Sequence, residues 1–286
     1  MMNFKDRLCA MNCHYRFYEL EDFFRSIHAQ GIHYAEIWTG PMHYYVDTMR
    51  HEPVEKLKRL SKNYQVKIIG ICPEQTNPKP NNIAVKGDMR RQEVFSYYRQ
   101  MIDIACEIGC RQVLVTSGWD YYSEPVEAAW ERSVDMMRNI AAYAQSRNIL
   151  LALEALQPNE SRLVNTIADI KRYRKDVGST CLKVCIDFGA MARAGLTPQD
   201  YFEAFGNDIV HIHFVDGNPT GHLAWGDGER DLKQDLQILE CYGYPGYLSL
   251  ETATQRYYEE PWTAEQKTLK SFISMKGESL WNDIIY

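Results

Sequence analysis

The feature that most limits how this chain can fold is a rhythm. Short apolar runs alternate with longer segments of helical spacing, about eight times from Leu8 onward. The clearest runs are Val66–Cys72 (VKIIGIC), Ile149–Glu154 (ILLALE), Cys181–Asp187 (CLKVCID) and Ile209–Val215 (IVHIHFV). Each is apolar at both odd and even positions, as a parallel strand covered by helices on its outer face requires. Weaker runs at Leu8–Cys13, Ile32–Trp38, Val113–Thr116 and Tyr247–Glu251 complete the set. The intervening segments carry helix signals. Leu20, Phe23, Phe24 and Ile27 recur with helical spacing before Gly31, Asp88 is placed to cap a helix running to Ile108, and Ser123 with Pro125 opens another to Arg147. Thr166 with Asp169 forms a capping-box pattern, and Thr197-Pro198 puts proline at a first helical position. No glycine-rich phosphate loop follows a strand. Alternation of this kind therefore predicts one α/β domain over residues 1–286, a closed (β/α)8 TIM barrel, with an open doubly wound sheet as the alternative.

Composition narrows the function classes. The formal charge of −6 and the absence of a long basic run argue against a protein that grips phosphate backbones, so no nucleic-acid partner is expected. No apolar run is long enough to span a bilayer, and the first residues lack the apolar stretch of a secretion signal. The eight cysteines include no C-x-x-C pair and read as buried reduced thiols, which fits a cytoplasmic protein. One long loop, Pro73–Gly87, holds three prolines and three asparagines, and loops of that length in compact domains tend to carry function.

The last four strands each end on a metal-ligand residue type. These are Glu154, Asp187, His213 and Glu251, separated by 33, 26 and 38 residues, one βα unit each. In a barrel such positions meet at the C-terminal mouth. Strand parity agrees: Ala152, Cys185, His211 and Ser249 share faces with the four, while Leu153, Ile186, Ile212 and Leu250 take the opposite face. For one residue a polar strand end at a loop is the plainer reading; four in succession favour a site. Three carboxylates and one imidazole suit a hard divalent cation such as Mn2+, Co2+ or Mg2+ better than a structural zinc. His211 is either a residue that orients a ligand or a core histidine with a backbone partner. Asp216 has the wrong parity for the cluster and reads as a loop residue. Trp38, Trp119 and Trp225 lie near strand exits and are either pocket walls or core.

The series LEAL (Leu153–Leu156), CIDFG (Cys185–Gly189), HIHFVD (His211–Asp216) and YLSLE (Tyr247–Glu251), followed by the Gly226-Asp227-Gly228 segment, resembles the xylose-isomerase-like barrel superfamily. Within it the chain resembles ketose 3-epimerases, most of all the fructoselysine branch. Arg90–Glu93 (RR-x-E), Leu153–Ser161 (LEAL-x-P-x-ES) and His222–Glu229 (HLAWGDGE) extend the likeness over essentially the whole chain. The resemblance implies an isomerase that binds Mn2+, or Co2+, Ni2+ or Mg2+ in its place, through Glu154, Asp187, His213 and Glu251. It implies that Glu154 and Glu251 are also the two catalytic bases, and that Glu160 binds near the reacting hydroxyls. A small sugar or sugar-amine substrate and a homo-oligomer follow from the same likeness. Two positions depart from the free-sugar epimerases. Ala190 stands where they carry a histidine, and His222 stands where they carry an arginine, which turns the expectation away from free tagatose or psicose.

Inverting a carbon beside a carbonyl needs a proton removed from one face and returned to the other, hence two bases. His222 is a candidate hydrogen bonder to substrate or a solvated loop residue. Trp119 and Trp38 are candidate substrate walls. Glu74 and Asp120 are acidic candidates for a substrate ammonium, and Arg90 and Arg91 are helix-surface charges or clamps for a carboxylate. An aldose–ketose isomerase or dehydratase on the same barrel, an abasic-site endonuclease-like enzyme, and a non-catalytic sugar binder are the rival readings.

Overall fold

The computed structural model describes residues 4–282, with side chains to residue 275; the helix expected to continue past 282 lies outside the described residues. Eight strands form a closed barrel in sequence order: β1 (Leu8–Met11), β2 (Tyr34–Trp38), β3 (Lys67–Cys72), β4 (Gln112–Val115), β5 (Leu150–Glu154), β6 (Leu182–Asp187), β7 (Ile209–His213) and β8 (Leu248–Leu250). Every neighbouring pair is parallel, and β1 closes the ring on β8 through Leu8–Leu248, Cys9–Ser249 and Ala10–Leu250. The open-sheet alternative is thereby excluded.

Around the barrel lie α1 (Leu20–Ala29), α2 (Val54–Tyr64), α3 (Asp88–Ile108), α4 (Val126–Ser146), α5 (Ile167–Val177), α6 (Phe188–Arg193), α7 (Pro198–Phe205), α8 (Leu232–Cys241) and α9 (Trp262–Asn282). Several ends follow local chemistry. Asp169 donates its N–H to Thr166 Oγ1 at 3.2 Å while its carboxylate accepts from Thr166 N at 2.9 Å, satisfying two backbone donors at the start of α5. Thr197 and Asp200 do the same for α7, with Pro198 at its first position. Other ends correct the sequence reading. Asp88 is the first residue of α3 rather than its cap, because the preceding Gly87 takes the cap position with no side-chain bond. Cys13 falls in a 3-10 turn (Asn12–Tyr15) instead of β1, and α6 was not anticipated. None of the helices is long and apolar enough to cross a membrane among the described residues.

The main core lies between barrel and helices and contains Leu153, Ile186, Ile212 and Leu250. The barrel interior is a second, smaller cluster that includes Met11, Trp38, Cys72, Leu114, Ala152 and Cys185. The period of two along each strand thus sends aliphatic residues outward and small or polar ones inward. Trp225 belongs to the outer layer: it is 1% exposed, stacks on Phe214 with centroids 4.4 Å apart, and donates its indole N–H to Phe214 O. Six cysteines are buried, but Cys106 and Cys241 are exposed, contrary to the expectation that all would be buried.

Candidate metal centre and active site

Four elements deliver four donors to one point at the C-terminal mouth. Glu154 and Asp187 close β5 and β6, His213 closes β7, and Glu251 follows β8 directly. One ligand atom from each of the four lies within 4.8 Å of the others. His213 Nδ1 is 2.6 Å from Glu154 Oε1, 2.8 Å from Glu251 Oε2 and 3.9 Å from Asp187 Oδ2. The two oxygens of Asp187 differ in their surroundings. Oδ1 accepts the N–H of Ala190 at 2.5 Å and caps α6, while Oδ2 is buried with no hydrogen-bond partner among the described residues. An orphaned carboxylate oxygen beside a second buried carboxylate, Glu154, and a half-buried one, Glu251, costs free energy unless a cation joins them. The donor set fits a hard divalent cation of that kind.

A second group, Cys185, His211 and His213, is also close enough to share an ion. Its chemistry is poorer. Burial pushes the Cys185 thiol far above its usual range, away from the thiolate a metal needs. His211 Nε2 is already 2.7 Å from Glu36 Oε2.

Electrostatics separate the two glutamates. Burial raises Glu154 well above the ordinary carboxylate range, against the lowering pull of His213. Burial also opposes the charge on Glu251, but His213 and His222 outweigh it and hold that carboxyl below its usual value. Burial would likewise lower His213, and the surrounding carboxylates, Glu251 foremost, raise it instead.

His222 is not a solvated loop residue. Its Nδ1 is 3.0 Å from the Glu251 carbonyl oxygen and 3.4 Å from Glu251 Oε2, and Nε2 is 3.7 Å from Asp187 Oδ1. The loop carrying it is organised by Asp216, which is 1% exposed. Asp216 Oδ1 accepts from Gly217 N and Arg230 N, and Oδ2 from Gly226 N and Gly228 N, at 2.8–3.0 Å. The Gly226-Asp227-Gly228 segment thus wraps a carboxylate. Gly226 has φ +96°, and a Cβ on Gly228 would lie 2.3 Å from Asp216 Oδ1. Asp216 is a loop residue, as read from parity, and it holds the loop together.

Above the cluster is a cavity of about 470 Å³ bounded by Arg16, Trp38, Glu74, Glu160, Ala190 and His222 among others. The Pro73–Gly87 loop supplies Glu74, Thr76, Asn77 and Lys79 to its wall. Trp38 is held by its backbone: its N–H donates to Asn12 Oδ1 at 2.7 Å, and its carbonyl accepts from Asn12 Nδ2 at 2.9 Å. Glu160 accepts from Gln157 N at 2.9 Å, and burial raises its carboxyl. Trp119 is not on this wall. It lines an adjoining chamber of about 440 Å³ with Asp120 and Tyr122, and the two spaces share Thr76, Asn77 and Glu160. Glu74 pairs with Lys79 at 2.6 Å and Asp120 with Arg162. Arg90 and Arg91 are engaged by Glu93 and Asp135 outside the cavity of the cluster.

Sequence reasoning missed Glu36 and Arg16. Glu36 is buried inside the barrel, bonded to His211 and to Ser249 Oγ at 2.6 Å. Burial opposes its charge, yet His211 and His213 hold it well below the usual carboxylate range. Its signal was there: a lone acid in YAEIW, in phase with Trp38 on the inward face. Arg16 lies over the Trp38 ring at 5.3 Å and leaves no comparable mark in the sequence.

Comparison with known proteins agrees with this fold. A fructoselysine 3-epimerase of Shigella flexneri is 28% identical over 268 residues, covering 93% of this chain and 96% of that protein. A D-tagatose 3-epimerase-like protein superposes with a TM-score of 0.77 at 22% identity, covering 96% of this chain and 99% of the other. The D-psicose 3-epimerase of Clostridium cellulolyticum H10, solved with D-tagatose, has a TM-score of 0.75 at 16% identity, with 94% and 98% covered. The family model described as xylose isomerase-like TIM barrel matches residues 24–272, and the chain belongs to that family.

Proposed function

We propose that this chain is a divalent-metal-dependent epimerase that inverts C3 of a ketose or ketosamine. The observation that carries the reading is the convergence of Glu154 and Glu251 on His213 Nδ1 from the two ends of the β5–β8 arc, at the floor of the cavity. One glutamate, as carboxylate, takes the proton from C3. The C–H electron pair moves toward the C2 carbonyl and leaves a flat enediolate. The other glutamate, as carboxylic acid, returns a proton to the opposite face. The two end with their protonation states exchanged, so the same pair serves both directions. A cation held by Glu154, Asp187, His213 and Glu251 supplies Lewis-acid stabilisation of the negative charge that develops on oxygen. Mn2+ is our first choice, with Co2+, Ni2+ and Mg2+ fitting the same donors. Glu160 and His222 are assigned to the substrate hydroxyls, and Trp38 to the sugar face.

The substrate we propose is a fructoselysine-type ketosamine. The adjoining chamber supports this, since it offers space next to the sugar for an extended tail. There Trp119 and Tyr122 stand beside Asp120, whose Oδ1 is buried without a hydrogen-bond partner among the described residues. An endonuclease reading gains nothing from a centre with one imidazole among three carboxylates.

The test is turnover in D2O with fructoselysine, psicose and tagatose in the presence of Mn2+. Deuterium at C3 with inversion supports the proposal; deuterium at C1 or C2 makes the enzyme an aldose–ketose isomerase. Glu154→Gln and Glu251→Gln should each lower kcat by roughly 10²–10⁴. Wild-type turnover by either variant would end the two-base scheme.

A further inference from the structure

We propose that Glu36 is a positioning residue that determines how His213 presents its ring to the metal centre. The inference rests on the metal-centre reading above and is independent of which sugar is the substrate.

One buried oxygen has two hydrogen-bonding partners and a third polar neighbour. Glu36 Oε2 lies 2.7 Å from His211 Nε2, 2.6 Å from Ser249 Oγ and 3.3 Å from His213 Nε2. Glu36, His211 and His213 are each at most 1% exposed, and Ser249 is fully buried. Closure of the barrel makes this meeting possible, because it brings β2 within reach of β7 and β8 across the interior. His211 and Ser249 fix the carboxylate, each with a short hydrogen bond. The third contact is longer, within ion-pair distance but without hydrogen-bond geometry, and His213 Nε2 has no hydrogen-bond partner among the described residues, so the Glu36 carboxylate is the anion that faces it.

A neutral imidazole carries one N–H and one lone pair. The nitrogen that keeps the proton is set by what faces the other side of the ring. An anion at Nε2 favours the tautomer with its proton there. That leaves the Nδ1 lone pair directed at Glu154, Asp187 and Glu251, where a cation can use it. Without Glu36, Nδ1 would hold the proton, since two carboxylate oxygens stand 2.6 and 2.8 Å from it. A proton there occupies the place of the cation. His211 in turn anchors the carboxylate that orients His213.

The experiment measures metal binding rather than turnover. Metal-stripped parent, Glu36→Gln and Ser249→Ala proteins are titrated with Co2+ by calorimetry, and the visible absorption of bound Co2+ is recorded. Glutamine keeps the size and an acceptor but removes the charge. Ser249→Ala removes a partner of the carboxylate and leaves the charge in place. We expect Glu36→Gln to weaken Co2+ binding by roughly 10–100-fold and to shift the Co2+ bands. Ser249→Ala should stay within about threefold of the parent, because His211 still anchors Glu36. Glu36→Gln binding within about threefold of the parent would overturn the assignment. So would an equal loss in Ser249→Ala, or a stripped Glu36→Gln protein that no longer melts cooperatively; both would make Glu36 a packing residue. A parent that binds no Co2+ would remove the metal centre itself, and the role of Glu36 with it.

Discussion

Replacing Asp216 by asparagine tests whether a buried carboxylate organises the loop that carries His222. Each of its oxygens accepts two backbone N–H groups. Whichever way the asparagine amide is turned, its NH2 faces two donors and loses both bonds. A hydrogen bond to a charged acceptor contributes ~1.5–3 kcal/mol, so two are worth ~3–6 kcal/mol. The Gly226, Gly228 and Arg230 bonds are only partly buried, and water reaching the freed N–H groups places the loss near the lower end, about 3 kcal/mol. For a chain of this size each kcal/mol lowers Tm by roughly 2 °C, which gives about 6 °C. Urea unfolding and a thermal melt of the metal-free protein measure both figures. Because His222 packs on Glu251 from this loop, KM should rise together with the fall in Tm. An Asp216→Asn protein that melts within about 1 °C of the parent would refute the account of the loop.

Two other outcomes follow from the same structure. If the proposed cation is bound, chelation should abolish turnover and lower Tm, and added Mn2+ should restore both, since a ligand that binds only the folded chain stabilises it by mass action; an unchanged Tm after chelator treatment counts against a metal centre at these carboxylates. Asp227 gives a pH signature. Burial pushes its carboxyl up, but hydrogen bonds from Lys267 and Tyr257 and the charge of Arg256 outweigh this and hold it below its ordinary value. A depressed folded pKa stabilises the fold above the unfolded value of ~3.9, and that contribution is lost as pH falls through the folded value. Asp227→Asn should therefore be less stable than the parent at pH 7, with the gap closing as the solution is acidified; a gap that does not change with pH would contradict the ion pairing.

Alternating apolar runs and helix signals narrowed the fold to a closed barrel or an open doubly wound sheet, and pairing of β1 with β8 decided for the barrel; strand parity was enough to put the strand-end donors on one face. Parity along ILLALE, CLKVCID and IVHIH sends Glu154, Asp187 and His213 inward because neighbouring side chains on a strand must point to opposite faces. That is local geometry, and it is legible in any stretch of a few residues. The capping box at Thr166 was legible for the same reason. Residues whose role depends on what lies across the barrel were not. Glu36 meets His211 and Ser249 over 175 and 213 residues of chain, and only ring closure puts them together. Trp225 and Trp119 look alike beside their strand exits, yet one packs in the outer core and the other walls a separate chamber. Asp216 was correctly placed in a loop by its parity, but the four N–H groups it gathers come from a turn whose shape no local pattern encodes. Local sterics determine which face a strand residue takes; loop conformation and cross-barrel contacts are decided by packing among distant segments, and that information exists only in the folded chain.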